Sequence, residues 1–349
     1  ETAGEEGPAR KEKGPFFVFR LAPQGVAAML KTMKSRYHHW TLRSILLGLL
    51  AWGMATALGS SAEPLPSRPL RVVTTIAPLY SFVKCIAGEA VELSNLLPQN
   101  AEPHDYVLSP GDARRVADAD LIIRNGLGLE TFLEKALENV EPQKLLDASR
   151  GIPTLPQWVP PSAFSDGRQA GRARPNPHVW LDPLAAVVEV ENIVRELCRR
   201  DGAREAYYRA RGARLTERLR RLDDAYHRSL DPLPDKKMAA DHDAFGYLAH
   251  RYGIEVVAVL EAGGHAGLSP RLLAWAMDAI VRERVPALFS EVNRLSPELR
   301  DISRETGIPV VFLDSMESGA PDADLYERVA EENRRILVRV YQRRSHAGP

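Results

Sequence analysis

The chain has 349 residues, with 46 Lys plus Arg balanced by 46 Asp plus Glu, and is 44% hydrophobic and 26% charged. That composition implies a soluble globular protein long enough for two ordinary domains, and the lack of a basic excess argues against nucleic-acid binding. Its two cysteines, Cys85 and Cys198, form no CxxC, which excludes a cysteine zinc site and thioredoxin-like chemistry.

Taken in chain order, residues 1–28 precede Met29 and Met33 and read as an over-long start. Lys31, Lys34, Arg36 and Arg43 then lead into the apolar run Ile45–Leu58, followed by Gly-Ser60-Ser-Ala62. A basic region, a short apolar region and small residues at the cleavage positions predict a secretory signal. The expected cut after Ala62 leaves a mature chain starting at Glu63, in the periplasm. An uncleaved anchor is the alternative, although the run is shorter than the roughly 20 residues of a membrane span.

After Pro64 the pattern becomes short β-branched runs separated by helices. Leu70–Ile76, Val91–Leu97, Asp120–Arg124 and Lys144–Asp147 read as strands. The first is continuous rather than alternating, as a parallel strand covered on both faces should be. Ser109 and Pro110 open a helix through Ala119. Pro153–Pro177, rich in Pro, Gly, Ser and Arg, reads as a surface loop. A long helical pattern runs from Pro183 to Ser229, broken near Asp201-Gly202, and its second piece sets Leu215, Leu219, Leu222 and Tyr226 on one stripe. A second series follows, with strands at Lys237–Asp241, Ile254–Leu260, Ala287–Glu291 and Val310–Asp314; Ser269-Pro270 and Ser296-Pro297 open helices and Gly307 closes one. Alternating strands and helices predict an α/β fold of two parallel-sheet lobes. The expected division is 1–62 for extension and signal, 63–200 for the first lobe, 201–233 for a bridging helix and 234–349 for the second lobe. Both cysteines fall in helix-like stretches, and the sequence leaves open whether they meet.

Of nine histidines, His38 and His39 fall in the signal, His346 in the tail, His227 on the charged helix, and His250 in a helix as a packed or solvated residue. His104, His178, His242 and His265 remain. His104, His178 and His242, with Asp314, sit at or just after strand ends, two in each lobe. Ligands of open parallel sheets bind in the crevice outside the carboxyl ends of the strands. Neutral imidazole suits Zn²⁺, and a carboxylate completes a four-residue site without thiols. On spacing alone, structural or solvated histidines remain an even alternative.

The runs Pro103-His-Asp-Tyr, Ser109-Pro-Gly-Asp, Ala119–Gly126 with Leu129-Glu130, Asn176-Pro-His-Val-Trp-Leu-Asp-Pro183 and His242–Tyr247 resemble the zinc/manganese-binding solute receptors of ABC transporters, in colinear order from about Leu70 to Leu337. The resemblance implies two βα lobes bridged by one long helix, a metal in the interlobe cleft, and the ligands His104, His178, His242 and Asp314. It implies Zn²⁺ or Mn²⁺ as transported cargo, a membrane permease and ATPase as partners, and no enzymatic activity; a monomer with no nucleic-acid partner is expected. The chain departs from many zinc-selective members in lacking a histidine-rich loop before His178. Some manganese-type members carry Glu where His242 stands. His265 is a candidate accessory ligand, and Glu291 a candidate acceptor holding a ligand histidine in place. Two other classes stay in view: a zinc hydrolase, which would keep three protein ligands and an open water position, and a surface adhesin on the same scaffold.

Overall fold

The computed structural model describes residues 68–99, 101, 106–138, 140–159, 174–261, 269–292, 295–317 and 319–346. His104, His265, the signal segment and most of the stretch before His178 lie outside these residues.

The first lobe contains β1 (Leu70–Thr74), α1 (Ala77–Ala87), β2 (Val91–Asn95), α2 (Pro110–Asp118), β3 (Leu121–Arg124), α3 (Glu134–Leu137) and β4 (Leu145–Asp147). The long helices α4 (Pro183–Arg200) and α5 (Glu205–Leu230) follow. The second lobe contains β5 (Lys237–His242), α6 (Gly246–Arg251), β6 (Glu255–Glu261), α7 (Pro270–Arg282), β7 (Leu288–Glu291), α8 (Pro297–Thr306), β8 (Val310–Leu313) and α9 (Leu325–His346). Every strand pairing is parallel, and the sheet orders β2-β1-β3-β4 and β6-β5-β7-β8 are the same. The two halves thus share one topology without an evident sequence repeat. The strand order reverses next to β1 in one lobe and β5 in the other, which opens a crevice at their carboxyl ends.

Local chemistry explains the helix starts. Ser109 caps α2, accepting from the Asp112 amide while Asp112 accepts from Ser109 in return, a reciprocal box. Ser269 and Ser296 cap α7 and α8 one way only, accepting from the Leu272 and Leu299 amides, each with Pro at the first helical position. Gly307 ends α8 at φ 72°, a left-handed conformation that costs a residue with a Cβ.

The break between α4 and α5 comes at Asp201-Gly202, and the two helices then pack closely. A Cβ on Gly212 would lie 2.4 Å from Cγ2 of Val194, so only glycine permits that approach. Leu215, Leu219 and Tyr226 of the apolar stripe are buried, while Leu222 is half-buried. Early in α5, the Arg211 guanidinium donates to the Cys85 carbonyl at the end of α1. Later, Asp223 accepts from Arg251 and Tyr252, and Tyr226 donates to the Ala330 carbonyl of α9. The one helix therefore grips both lobes. Cys85 and Cys198 are free thiols, each packed in its own environment.

Candidate metal site

Three segments bring the site together. His242 is the last residue of β5, at the crevice. His178 precedes a short turn, Val179–Leu181, that leads into α4, whose first turn is capped by Asp182 through the Leu184 amide at 2.8 Å. Trp180, fully buried, donates from Nε1 to the Ser315 carbonyl at 2.8 Å, and its own carbonyl accepts from Tyr326 at 2.7 Å. That indole pins the His178 segment against the turn that follows β8.

The turn itself is built by Asp314 and Asn333. Asn333 of α9 accepts from the Asp314 amide at 3.0 Å and donates to its carbonyl at 2.8 Å. Asp314 Oδ1 accepts from the Met316 amide at 2.7 Å, and Met316 takes φ 68°, left-handed and unusual for a side chain of that size. Burial pushes the Asp314 carboxyl above its ordinary pKa, opposed by the Met316 amide and by Arg328. The turn also carries Glu317 against His178. Glu317 Oε1 lies 2.8 Å from His178 Nε2, and both side chains are 2% exposed.

The proton on His178 can be assigned from its partners. Asn176 donates from its side-chain Nδ2 to the Asp243 carbonyl at 2.7 Å, which turns Oδ1 toward His178. That oxygen stands 2.8 Å from His178 Nδ1 and accepts from the His178 backbone amide at 2.9 Å. Nδ1 therefore carries the hydrogen and Nε2 carries the lone pair. This Nε2 faces Glu317 Oε1 at 2.8 Å and His242 Nε2 at 3.4 Å. The lone pair of His178 Nε2 and the Glu317 carboxylate point at each other, with His242 Nε2 alongside, so a cation, either a proton or a metal ion, belongs between them.

The spacing is informative as well. Two donors bound to one tetrahedral ion at ordinary zinc distances stand about 3.3 Å apart. The His178–His242 separation already fits, whereas Glu317 would move back slightly. Among the described residues, no group of three His, Cys, Asp or Glu side chains is fully disposed to enclose an ion. His104, the remaining candidate, lies outside those residues, and Asp314 is held in its turn by Met316.

Glu291 ends β7 and is buried. Ala240 pairs with Phe289, and continuing that register by two residues sets Glu291 beside His242. Its neighbour Ser290 donates to Asp241, which also accepts from the Ser296 amide, so β5, β7 and the start of α8 are laced together beneath the site. His227 lies beside Asp231 on α5, and His250 is exposed; neither approaches the cluster.

Asn176, Asp243 and Glu317 escaped the sequence reading. Asn176 gave a signal in its fixed place two residues before a histidine, where an Asx side chain can turn back on the chain. Glu317 gave none beyond being an acid three residues after a strand end. Because Asn176 fixes the tautomer, Asn176→Ala is expected to weaken metal binding about 10- to 100-fold, with one ion per chain still bound at saturation. Isothermal titration calorimetry checks it; wild-type affinity would remove Asn176 from this role.

Comparison with known proteins agrees with this architecture. Residues 72–340 match the family of zinc-uptake complex component A, periplasmic. The manganese ABC transporter substrate-binding lipoprotein PsaA of Streptococcus pneumoniae is 28% identical over 303 residues, covering 83% of this chain and 93% of PsaA. The iron-binding protein YfeA of Yersinia pestis is 28% identical over 279 residues, covering 78% of this chain and 87% of YfeA. The Mn²⁺ complex of the substrate-binding protein FpvC of Pseudomonas aeruginosa superposes with a TM-score of 0.70 at 29% identity, covering 79% of this chain and 99% of FpvC. With the match extending over most of its length and through both lobes, the chain belongs to the family of periplasmic component A of zinc-uptake complexes.

Proposed function

We propose that the protein captures one divalent transition-metal ion between its lobes with His104, His178, His242 and a carboxylate supplied by Glu317, and passes it to the permease and ATPase of an ABC importer. The class is that of the family: an extracytoplasmic metal-binding receptor of an ABC transporter, not an enzyme. Export through a signal cleaved after Ala62, a periplasmic location and a monomeric state belong to this proposal. So does the division into lobes 63–200 and 234–349 about a bridge at 201–233.

The observation that supports the ligand assignment is the approach of Glu317 and His242 to the lone pair of His178 Nε2, whose tautomer is fixed by Asn176. Glu317 takes the position that sequence resemblance gives to Asp314, and Asp314 becomes the residue that shapes the turn. Glu291 acts behind His242 as a hydrogen-bond acceptor.

Three imidazoles with one carboxylate favour Zn²⁺ over Mn²⁺, since Mn²⁺ stands lowest in the general affinity order. The relatives named for manganese and iron keep Mn²⁺ as the second reading. Elemental analysis after equilibration with equimolar Zn²⁺ and Mn²⁺ tests both parts of the proposal. One zinc per chain is expected, and Glu317→Gln should lose at least tenfold in affinity where Asp314→Asn loses less. Retention of Mn²⁺ against Zn²⁺ overturns the metal, and the reverse order of the two variants returns the ligand to Asp314.

A further inference from the structure

We propose that Trp158 and Asp243 form a clasp between the two lobes that slows release of the bound ion. This rests on the metal-receptor reading above and adds a determinant of the off-rate to it. The clasp is a two-stranded ribbon. The Asn176 amide donates to the Leu155 carbonyl at 2.8 Å, the Gln157 amide donates to the Arg174 carbonyl at 2.8 Å, and Pro156 pairs antiparallel with Pro175.

The ribbon leads from β4 to α4, yet its contacts from Leu155 to Trp158 are with the second lobe. Tyr247 of α6 accepts from the Leu155 amide at 3.0 Å and donates to the Asn176 carbonyl at 3.1 Å. The Trp158 amide donates to Asp243 Oδ2 at 2.6 Å. The Trp158 ring lies 6.3 Å from that of Trp275 on α7, tilted by 34°, within the range of favourable aromatic pairing. Gly246 makes room for the ribbon, since a Cβ there would stand 3.0 Å from Asn176 Nδ2.

The placement of these contacts gives them a function. One strand of the ribbon ends two residues before His178, and the segment it grips begins one residue after His242. Any movement that parts the two imidazoles has to separate Trp158 from Trp275 and from Asp243, or bend the ribbon. An ion leaves such a site when its ligands part, so the clasp acts on dissociation. Capture from the parted state does not require it to be closed. The chain has no histidine in Ser162–Pro177 to assist exchange; in its place the stem of that loop is fastened across the cleft.

The test is stopped-flow transfer of Zn²⁺ from the loaded full-length protein to excess chelator, alongside the rate of Zn²⁺ uptake. Trp158→Ala and Trp275→Ala are each expected to release the ion about tenfold faster with uptake unchanged, and Trp158→Phe, which keeps a ring, should restore slow release. Asp243→Asn should speed release less, because it keeps an acceptor for the Trp158 amide. A merely structural loss would instead lower the melting temperature and slow uptake. Should Trp158→Ala fail to fold, Trp275→Ala, on the other side of the contact, decides the question. Wild-type release rates in folded Trp158→Ala or Trp275→Ala overturn the clasp while leaving the receptor reading intact; no Zn²⁺ uptake by the wild type overturns the receptor reading and the clasp with it.

Discussion

Replacing His178 or His242 with Ala is expected to weaken Zn²⁺ binding by two to three orders of magnitude. A protein zinc site of four ligands binds with about 10–16 kcal/mol, so one ligand in four is worth about 3 kcal/mol, or roughly a hundredfold. The two positions should differ in what else they do. His178 is buried, donates to Asn176 from Nδ1 and faces Glu317 with Nε2. Its removal leaves a buried carboxylate without this partner, which destabilises the metal-free protein as well. His242 is only half-buried at the end of β5, so His242→Ala should keep the metal-free melting temperature and lose the ion. Zinc raises the melting temperature of a protein that binds it only when folded, by an amount set by affinity. That increase should shrink markedly in both variants and persist in full in His250→Ala, whose side chain is exposed on α6. An undiminished zinc-dependent rise in His178→Ala or His242→Ala would remove that residue from the site.

What the sequence disclosed about this site and what it withheld follow from the range of the forces involved. Strands and helices were legible because short β-branched runs and capping residues are local signals. Leu70–Thr74 and Val310–Leu313 lie inside the stretches expected as strands, and Ser109, Ser269 and Ser296 cap the helices expected of them. The break at Asp201-Gly202 was legible from turn residues, though not the 2.4 Å contact that makes Gly212 obligatory ten residues on. His178 and His242 were legible as ligand types at strand ends. Their 3.4 Å approach depends on two lobes held by α5, Trp180 and the ribbon, and no spacing along the chain reports that. Glu317 is the clearest case. Its arrival beside His178 depends on the left-handed Met316 and on Asn333, 19 residues beyond Asp314, holding the preceding backbone. Pattern and resemblance both point to Asp314 at the end of the expected strand; only the turn shows that its Oδ1 is engaged with the Met316 amide.

Substituting Glu189 by Gln is expected to stabilise the protein at neutral pH, by an amount that grows as pH rises. Glu189 sits on α4 with no solvent exposure, and neither carboxyl oxygen has a hydrogen-bond partner among the described residues. Burial raises its pKa from 4.5 to about 8, with the nearby charge of Glu130 adding to the shift. Glu130 is also buried, but it accepts from Thr75 and from the amides of Asn125 and Gly126 at 2.8, 2.6 and 3.0 Å. Those donors support a charge that Glu189 has no means to support. In the folded protein Glu189 therefore holds its proton at pH 7, whereas in the unfolded chain it is ionised. Because the folded pKa is the higher one, the contribution of Glu189 to stability is most favourable below pH 4.5, falls as pH rises toward 8, and levels off above it. At pH 7 the penalty is on the order of 3 kcal/mol, a large share of a typical total. Gln is nearly isosteric and keeps a neutral polar group in the same place, so only the ionisation is removed. Thermal melts of the metal-free protein across the pH range give the measurement. Glu189→Gln should melt several degrees higher at pH 8 and converge with the wild type near pH 5. A difference that is the same at both pH values would mean that packing rather than ionisation separates the two proteins, and the buried proton on Glu189 would have to be given up.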